Sequence, residues 1–227
     1  MHKELLHSGI ECCPNTVARL MQREGIRARR AKKFRVITTD SKHELPIAPN
    51  RLNQDFTCSN INRVWLTDFT YIPLIEGFTY LCTVQDLYSR RIVGWATSPS
   101  IDAKLAIAAL HQAVALRQPE NGLIVHSDQG SQYASQAFRL ALRKCNALQS
   151  MSRKGNCYDN APMESFFKSV KVEEVSRQTY QAHEQATRGV IDYIERFYNP
   201  VRKHSALAYE SPNEFEKQAL IDLECSA

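Results

Sequence analysis

The sequence predicts an α/β protein: a mixed five-stranded sheet flanked by helices, with a small basic helical segment before it and a helical extension after it. Three observations carry that prediction. From Arg63, three successive segments are rich in Val, Ile, Thr, Tyr, Phe and Trp and are separated by tight turns. After them, helical and strand patterns alternate. The chain's net charge is only +5, yet residues 1–35 hold nine Lys/Arg against three Asp/Glu, which sets them apart from a nearly neutral remainder.

Taken in order, residues 1–35 read as helical. Asn15 or Thr16 can cap a helix that runs to about Glu24, with Val17, Leu20 and Met21 on its apolar face, and Gly25 ends it. The basic run IRARRAKKFR follows, so the segment has the outline of a partial helix-turn-helix, with Arg27, Arg29 and Arg30 as candidate DNA contacts. Residues 36–60 carry Pro46, Pro49 and many polar side chains, and read as a linker. RVWLTDFTYI, TYLCTVQDLYS and RRIVGWATS are the first three strands, with a turn at Glu76-Gly77. Asp102 caps the helix DAKLAIAALHQAVALR, whose Leu105, Ala109, Leu110 and Val114 share one face. GLIVHSD is a short apolar strand, as expected where both sheet faces are covered. SQAFRLALRKC is a helix and ALQSMS a fifth strand. APMESFFKSVKVEEV is a helix with Asn160 as its cap and Pro162 in its first turn. Residues 61–177 thus form the core. Residues 178–227 form the extension, with a helix over 181–199 and another begun at Ser211-Pro212.

Composition excludes several classes. No apolar run approaches the roughly 18 residues of a membrane span, and the start, MHKELLHSGI, lacks the apolar stretch of a secretion signal. The seven cysteines form no C-x-x-C pair, which argues against a disulfide scaffold or zinc ribbon and fits a reducing cytoplasm.

Three carboxylates stand where core packing does not put them. Asp68 lies within the first strand, Asp128 at the end of the fourth, and Glu164 at the start of the helix NAPMESFFK. Each has an ordinary alternative: Asp68 paired with an Arg, Asp128 capping a turn, Glu164 complementing a helix N-terminus. If the two strands are adjacent at the centre of the sheet, however, the acids converge. Close carboxylates repel unless a cation lies between them. Hard oxygen donors suit Mg²⁺ or Mn²⁺, and two such ions assist in-line phosphoryl displacement. Lys168 and Lys171 follow Glu164 by four and seven residues on the same helix face, where they would hold a phosphate backbone. Arg153 and Lys154, before the helix, and Arg202 and Lys203, in the C-terminal loop, are further candidate DNA contacts. Asp86 reads as a turn-forming acid, and His126 as a core histidine facing away from Asp128. Ser127, Ser131 and Tyr133 read as structural loop residues, and Trp65 and Trp95 as core.

At WLTDFTY, HSDQGSQY and NCYDNAPMESFF the sequence resembles bacterial insertion-sequence transposases of the OrfB type, which carry a retroviral-integrase-like catalytic core. Thirty-five residues separate Asp128 from Glu164, the interval characteristic of that family, and Lys171 falls where the family carries Lys or Arg. The ending YNPVRKHSALAYESPNEFE also matches. The resemblance implies an RNase H-like fold with Asp68, Asp128 and Glu164 as catalytic residues. It assigns one ion to Asp68 and Asp128 and the other to Asp68 and Glu164. The implied reaction cuts element ends and joins the resulting 3′-OH to target DNA, with no covalent enzyme intermediate. The implied partners are the element's terminal repeats, target DNA, further copies of the chain in an oligomer, and an OrfA protein or OrfA–OrfB fusion. The implied location is the bacterial cytoplasm, on the nucleoid. The N-terminal helical region is shorter than the family's usual one. That favours one alternative, a truncated remnant that binds DNA without catalysis, and a nuclease of the same fold is a second.

Overall fold

The computed structural model describes residues 1–27 and 43–225, and Arg29 and Arg30 lie outside them. The chain divides into two compact units, residues 1–32 and 33–227. In the first, α1 (His2–His7) precedes α2 (Pro14–Arg23). The predicted cap shifts: Cys13, not Asn15 or Thr16, opens α2, its sulfur accepting from the Thr16 N–H at 3.4 Å, with Pro14 at the first helical position. Pro favours that position because its missing N–H has no helical partner there. Gly25 ends the helix at φ +66°, as the sequence predicts.

The second unit holds the sheet. Its strands are β1 (Val64–Pro73), β2 (Phe78–Asp86), β3 (Ile92–Ser98), β4 (Ile124–Ser127) and β5 (Leu148–Met151), in spatial order β3-β2-β1-β4-β5. β1, β2 and β3 pair antiparallel through two hairpins, whereas β1–β4 and β4–β5 are parallel. Between β3 and β4 runs α3 (Ala103–Arg117), capped by Asp102, whose carboxylate accepts from the Leu105 N–H at 3.0 Å. A four-residue helix absent from the sequence reading, α4 (Ser131–Ala134), follows β4, and α5 (Gln136–Lys144) follows it. α6 is Ala161–Glu173, α7 is His183–Asp192 and α8 is Pro212–Cys225. The single helix predicted over 181–199 changes character at Tyr193–Tyr198, which form a wider π-type turn that buries Tyr193, Ile194 and Tyr198.

Each sheet face buries its own core. On one face Trp65, Phe69, Val84 and Val125 meet α3, α4 and α5 through Leu105, Leu110, Tyr133 and Phe138. On the other, Leu66, Ile72 and Leu81 meet α6 and α7 through Met163, Phe166, Val170 and Val190. Alternation along β1 assigns odd positions to the first face and even ones to the second. Asp68 therefore belongs to the face covered by α6. Residues 43–60, read as a linker, lie in part against the core: Leu52 is buried and packs within the second cluster. The C-terminal helix is anchored by buried Glu216, which accepts from Ser89 Oγ at 2.6 Å and Arg91 Nη1 at 2.8 Å and pairs with Arg117.

Gly94 sets the spacing between β3 and α3. A Cβ at this position would lie 2.4 Å from the Ala109 carbonyl oxygen and 2.7 Å from the Ala113 Cβ. Gly94→Ala is expected to force the helix outward and to cost about 1–3 kcal/mol. A fall in the thermal unfolding midpoint of several degrees checks this, and an unchanged midpoint would show that helix and sheet have slack.

Candidate functional site

Parallel pairing of β1 with β4 brings two of the acids together. The last register pair of that ladder is Leu66 opposite His126, and Asp68 and Asp128 each lie two residues further on. β4 stops at Ser127, so Asp128 begins the turn that follows it; its carboxylate accepts from the Gly130 N–H at 2.9 Å. Asp68 is half-buried and accepts from the Phe69 N–H at 2.7 Å. Glu164 is exposed in the first turn of α6, which packs on β1.

The three acids feel one another. Burial first, then the Asp128 charge, pushes the Asp68 carboxyl well above the ordinary carboxylate range; Glu164 adds to the rise, while the Phe69 N–H and the Lys171 ammonium oppose it. Lys171 is half-buried. Its ammonium sits 4.3 Å from the centre of the Tyr71 ring, and burial lowers its pKa against the pull of Asp68. The Lys171 side chain therefore lies with the acids, and Lys168, three residues earlier, is exposed. Beneath the site, the fully buried Tyr133 hydroxyl lies 3.1 Å from Thr67 Oγ1 and 3.7 Å from Cys82 Sγ. Burial pushes the Cys82 thiol up to about 12.

Among the described residues, no group of three or more His, Cys, Asp or Glu side chains could by itself hold a metal ion. The donor chemistry fits a hard dication in another way. Mg²⁺ commonly takes one or two carboxylates and completes its shell with water and substrate phosphate, so it needs no all-protein cage. Mutually repelling carboxylates, one of them driven toward its neutral form, are the setting such an ion relieves.

The loop before α6 is organised by Asp159. Its buried carboxylate accepts from Arg153 Nε and Nη2 at 3.0 and 2.7 Å, from the Arg153 backbone N–H at 2.7 Å, from Gln54 Nε2 at 2.9 Å and from Asn50 Nδ2 at 3.1 Å. No short-range pattern reveals this hub, because Asn50 is 109 residues away. Asn160 occupies the cap position of α6 as predicted, but its side chain makes no capping bond; both amide atoms are buried without a hydrogen-bond partner among the described residues.

The other candidates scatter. Arg153 is engaged by Asp159, Arg202 by Glu173 at 2.9 Å and Lys203 by Glu214 at 3.0 Å, while Lys154 and Arg27 are exposed. Asp86 is a turn acid as read, accepting from the Asn62, Tyr88 and Ser89 N–H groups. His126, opposite Leu66 in the β1–β4 ladder, shares the sheet face of Leu66 and Asp68. It is buried, its Nδ1 is 2.8 Å from Ser150 Oγ, and burial lowers its pKa to about 4.

Residues 59–157 and 164–220 match two models described as integrase core domains, and residues 1–34 match an HTH-like domain. The chain is 42% identical over 215 residues to the transposase for insertion sequence element IS904 of Lactococcus lactis, covering 95% of this chain and 85% of that one. It is 41% identical to the IS600 31 kDa protein of Shigella sonnei, with 96% and 80% covered. Against transposase InsF for insertion sequence IS3A of Escherichia coli the identity is also 41%, with 96% and 75% covered. Among solved structures, the simian T-cell lymphotropic virus intasome superposes with a TM-score of 0.59 at 16% identity, covering 79% of this chain and 61% of that chain. The HTLV-2 integrase catalytic core with magnesium superposes with a TM-score of 0.52 at 15% identity, covering 69% and 97%. At these identities the superpositions speak for the fold.

The hydrogen bonds to Asp159 hold its carboxyl below the ordinary carboxylate range, with the Arg153 side chain the largest cause. A carboxyl depressed in the folded state contributes stability that is complete above its unfolded pKa and is lost as pH falls. Below about pH 4 the melting point of the wild-type chain is expected to drop more steeply than that of Asp159→Asn. Parallel pH profiles would refute the assignment.

Proposed function

This chain belongs to the integrase-core transposases of bacterial insertion sequences, and from that premise we propose that Asp68, Asp128 and Glu164 are its catalytic residues in cutting element ends and joining them to target DNA. The observation that carries the reading is the convergence at the end of the β1–β4 ladder. Two acids stand two residues past its last pair, and a third, with Lys171, comes within electrostatic reach on α6. Asp68 and Asp128 would hold one Mg²⁺ or Mn²⁺, and Asp68 and Glu164 the other. When bound, the ions supply Lewis-acid stabilisation of the charge that develops on the attacking and leaving oxygens.

The remaining work falls to the protein. Lys168 and Lys171 bind phosphate oxygens and orient the strand along α6; such contacts position DNA without reading its sequence. In the first step a water oxygen forms a bond to phosphorus and the 3′ oxygen of the element end leaves as a 3′-OH. In the second, that 3′ oxygen bonds to a target phosphorus and the target's own 3′ oxygen departs. No protein nucleophile is required, and Tyr133, fully buried between Thr67 and Phe138, is unsuited to be one.

Residues 1–35, with Arg27, Arg29 and Arg30, are proposed to contact the terminal repeats. Arg153, Lys154, Arg202 and Lys203 are proposed to contact DNA around the core. Holding two ends together calls for an oligomer, and an OrfA protein is the proposed partner for end recognition. No described helix is long and apolar enough to cross a membrane. Action on the chromosome implies the bacterial cytoplasm and nucleoid.

The test is strand transfer with pre-cut element ends. Asp68→Asn, Asp128→Asn and Glu164→Gln are each expected to lower joining by about a thousandfold or more while DNA binding persists. EDTA should stop the reaction, and added Mg²⁺ or Mn²⁺ should restore it. Cleavage without joining would identify a nuclease, and binding without any reaction would identify a non-catalytic DNA-binding protein.

A further inference from the structure

Residues 43–54 fall within the stretch read as a linker, yet they are fastened to the core beside two of the acids. His43 Nε2 donates to the Gln129 carbonyl at 2.8 Å, and its Nδ1 accepts from the Leu45 N–H at 3.2 Å. Gln129 is the residue directly after Asp128. At the far end, Asn50 Nδ2 and Gln54 Nε2 donate to the Asp159 carboxylate at 3.1 and 2.9 Å. Asp159 lies five residues before Glu164, in the turn that opens into α6. Between these points the segment is fixed to β5, the last strand on its side of the sheet. The Ala48 N–H meets Met151 Sδ at 3.4 Å, the Arg51 N–H donates to Ser150 Oγ at 2.9 Å, and Arg51 Nε donates to the Gln149 carbonyl at 3.3 Å.

This strap is built to keep its shape. Asn50 Oδ1 accepts from the N–H groups of Leu52 and Asn53, both at 3.0 Å, so its oxygen makes the turn while its nitrogen reaches Asp159. Buried Leu52 pegs the turn into the cluster that holds Met163 and Phe166 of α6. Asn53 and Gln54 both adopt positive φ, at +49° and +66°. Residues with a Cβ seldom adopt that conformation; it persists where the surroundings over-determine it, and it clusters at active sites.

The ordinary role for such a segment is to cover the open edge of β5. The contacts with Gln149, Ser150 and Met151 suffice for that. The end contacts do something else. The β1–β2 ladder holds Asp68 opposite Thr83, but Asp128 stands on a turn and Glu164 on a helix, outside any ladder. The strap grips the backbone next to one and the loop ahead of the other.

We propose that His43, Asn50 and Gln54 are positioning residues, which act through Gln129 and Asp159 to set the separation of Asp128 from Glu164. The proposal rests on the DNA-joining reading above, and two measurements on the full chain separate them. Hydrogen exchange reads the hold itself. Asn50→Asp keeps the oxygen that makes the turn but turns a carboxylate on Asp159, and the amides of residues 161–168 are expected to exchange about tenfold faster. His43→Leu should do the same for residues 128–132, and His43→Gln, whose amide nitrogen can replace Nε2, should restore slow exchange. Strand transfer with pre-cut ends reads the consequence. Asn50→Asp and His43→Leu should each lower kcat about tenfold to a hundredfold with KM for DNA unchanged, as a misplacement of about 1 Å does. His43→Gln should recover most of the rate. Gly94→Ala, destabilised between β3 and α3, should join at the wild-type rate below its melting point. The proposal is overturned if the variants exchange like the wild type, if they keep its kcat, or if Gly94→Ala loses as much. Faster exchange in the variants of a chain that joins no DNA would uphold the strap and sink the DNA-joining reading instead. Strand transfer that the strap variants leave untouched would do the reverse.

Discussion

Two central strands that run the same way must leave the sheet at the same end, and in this protein each carries an acid two residues beyond their last paired position. That constraint places like charges together whether or not anything relieves them. Their repulsion, sharpened by the partial burial of Asp68, is stored in the native state and must be offset by the packing around it. The two cores do that work. α3 and α5 hold one sheet face rigid, and α6 clamps the other while bringing Glu164 and Lys171 to the same place. Lys171, its ammonium over the Tyr71 ring, is the protein's own partial answer to the charge it helps surround.

Much of the supporting architecture stands outside the sheet. Glu173 at the end of α6 accepts from Arg202 and from the Tyr193 hydroxyl at 2.7 Å, so the C-terminal segment grips the helix that bears Glu164. Glu216 secures α8 to the β2–β3 hairpin and to α3. At the other end of α6, Asp159 ties the preceding loop to residues 50–54. The helix is therefore held at both ends by charged hydrogen bonds to distant parts of the chain, and in its middle by apolar packing of Met163, Phe166 and Val170.

The strands and most helices were legible because their signals are local. β-branched and aromatic runs, the Asp102 cap and the Gly77 turn act within a few residues. The three acids were legible as a group because their placement at element ends is unusual and their spacing matches a known family. What escaped the sequence depends on tertiary structure. Cys13 capping α2 was missed because sulfur is a weak acceptor and an unusual cap. The π-type turn at Tyr193–Tyr198 buries both tyrosines at once, which a helical pattern does not specify. The Asp159 hub assembles from residues far apart in sequence, so no window contains it.

The hydrogen bond from Asn50 to Asp159 closes a loop of 109 residues, one that contains the whole five-stranded sheet. Contacts of such sequence separation are paid for in chain entropy before they return any stability, so they form late. A nascent chain can therefore complete its sheet, with Asp68 and Asp128 side by side, while the loop leading into α6 is still unfastened. Glu164 is then the last of the three acids to reach its station, and a chain still being made, or one stalled before the C-terminal segment has wrapped, holds only part of the site.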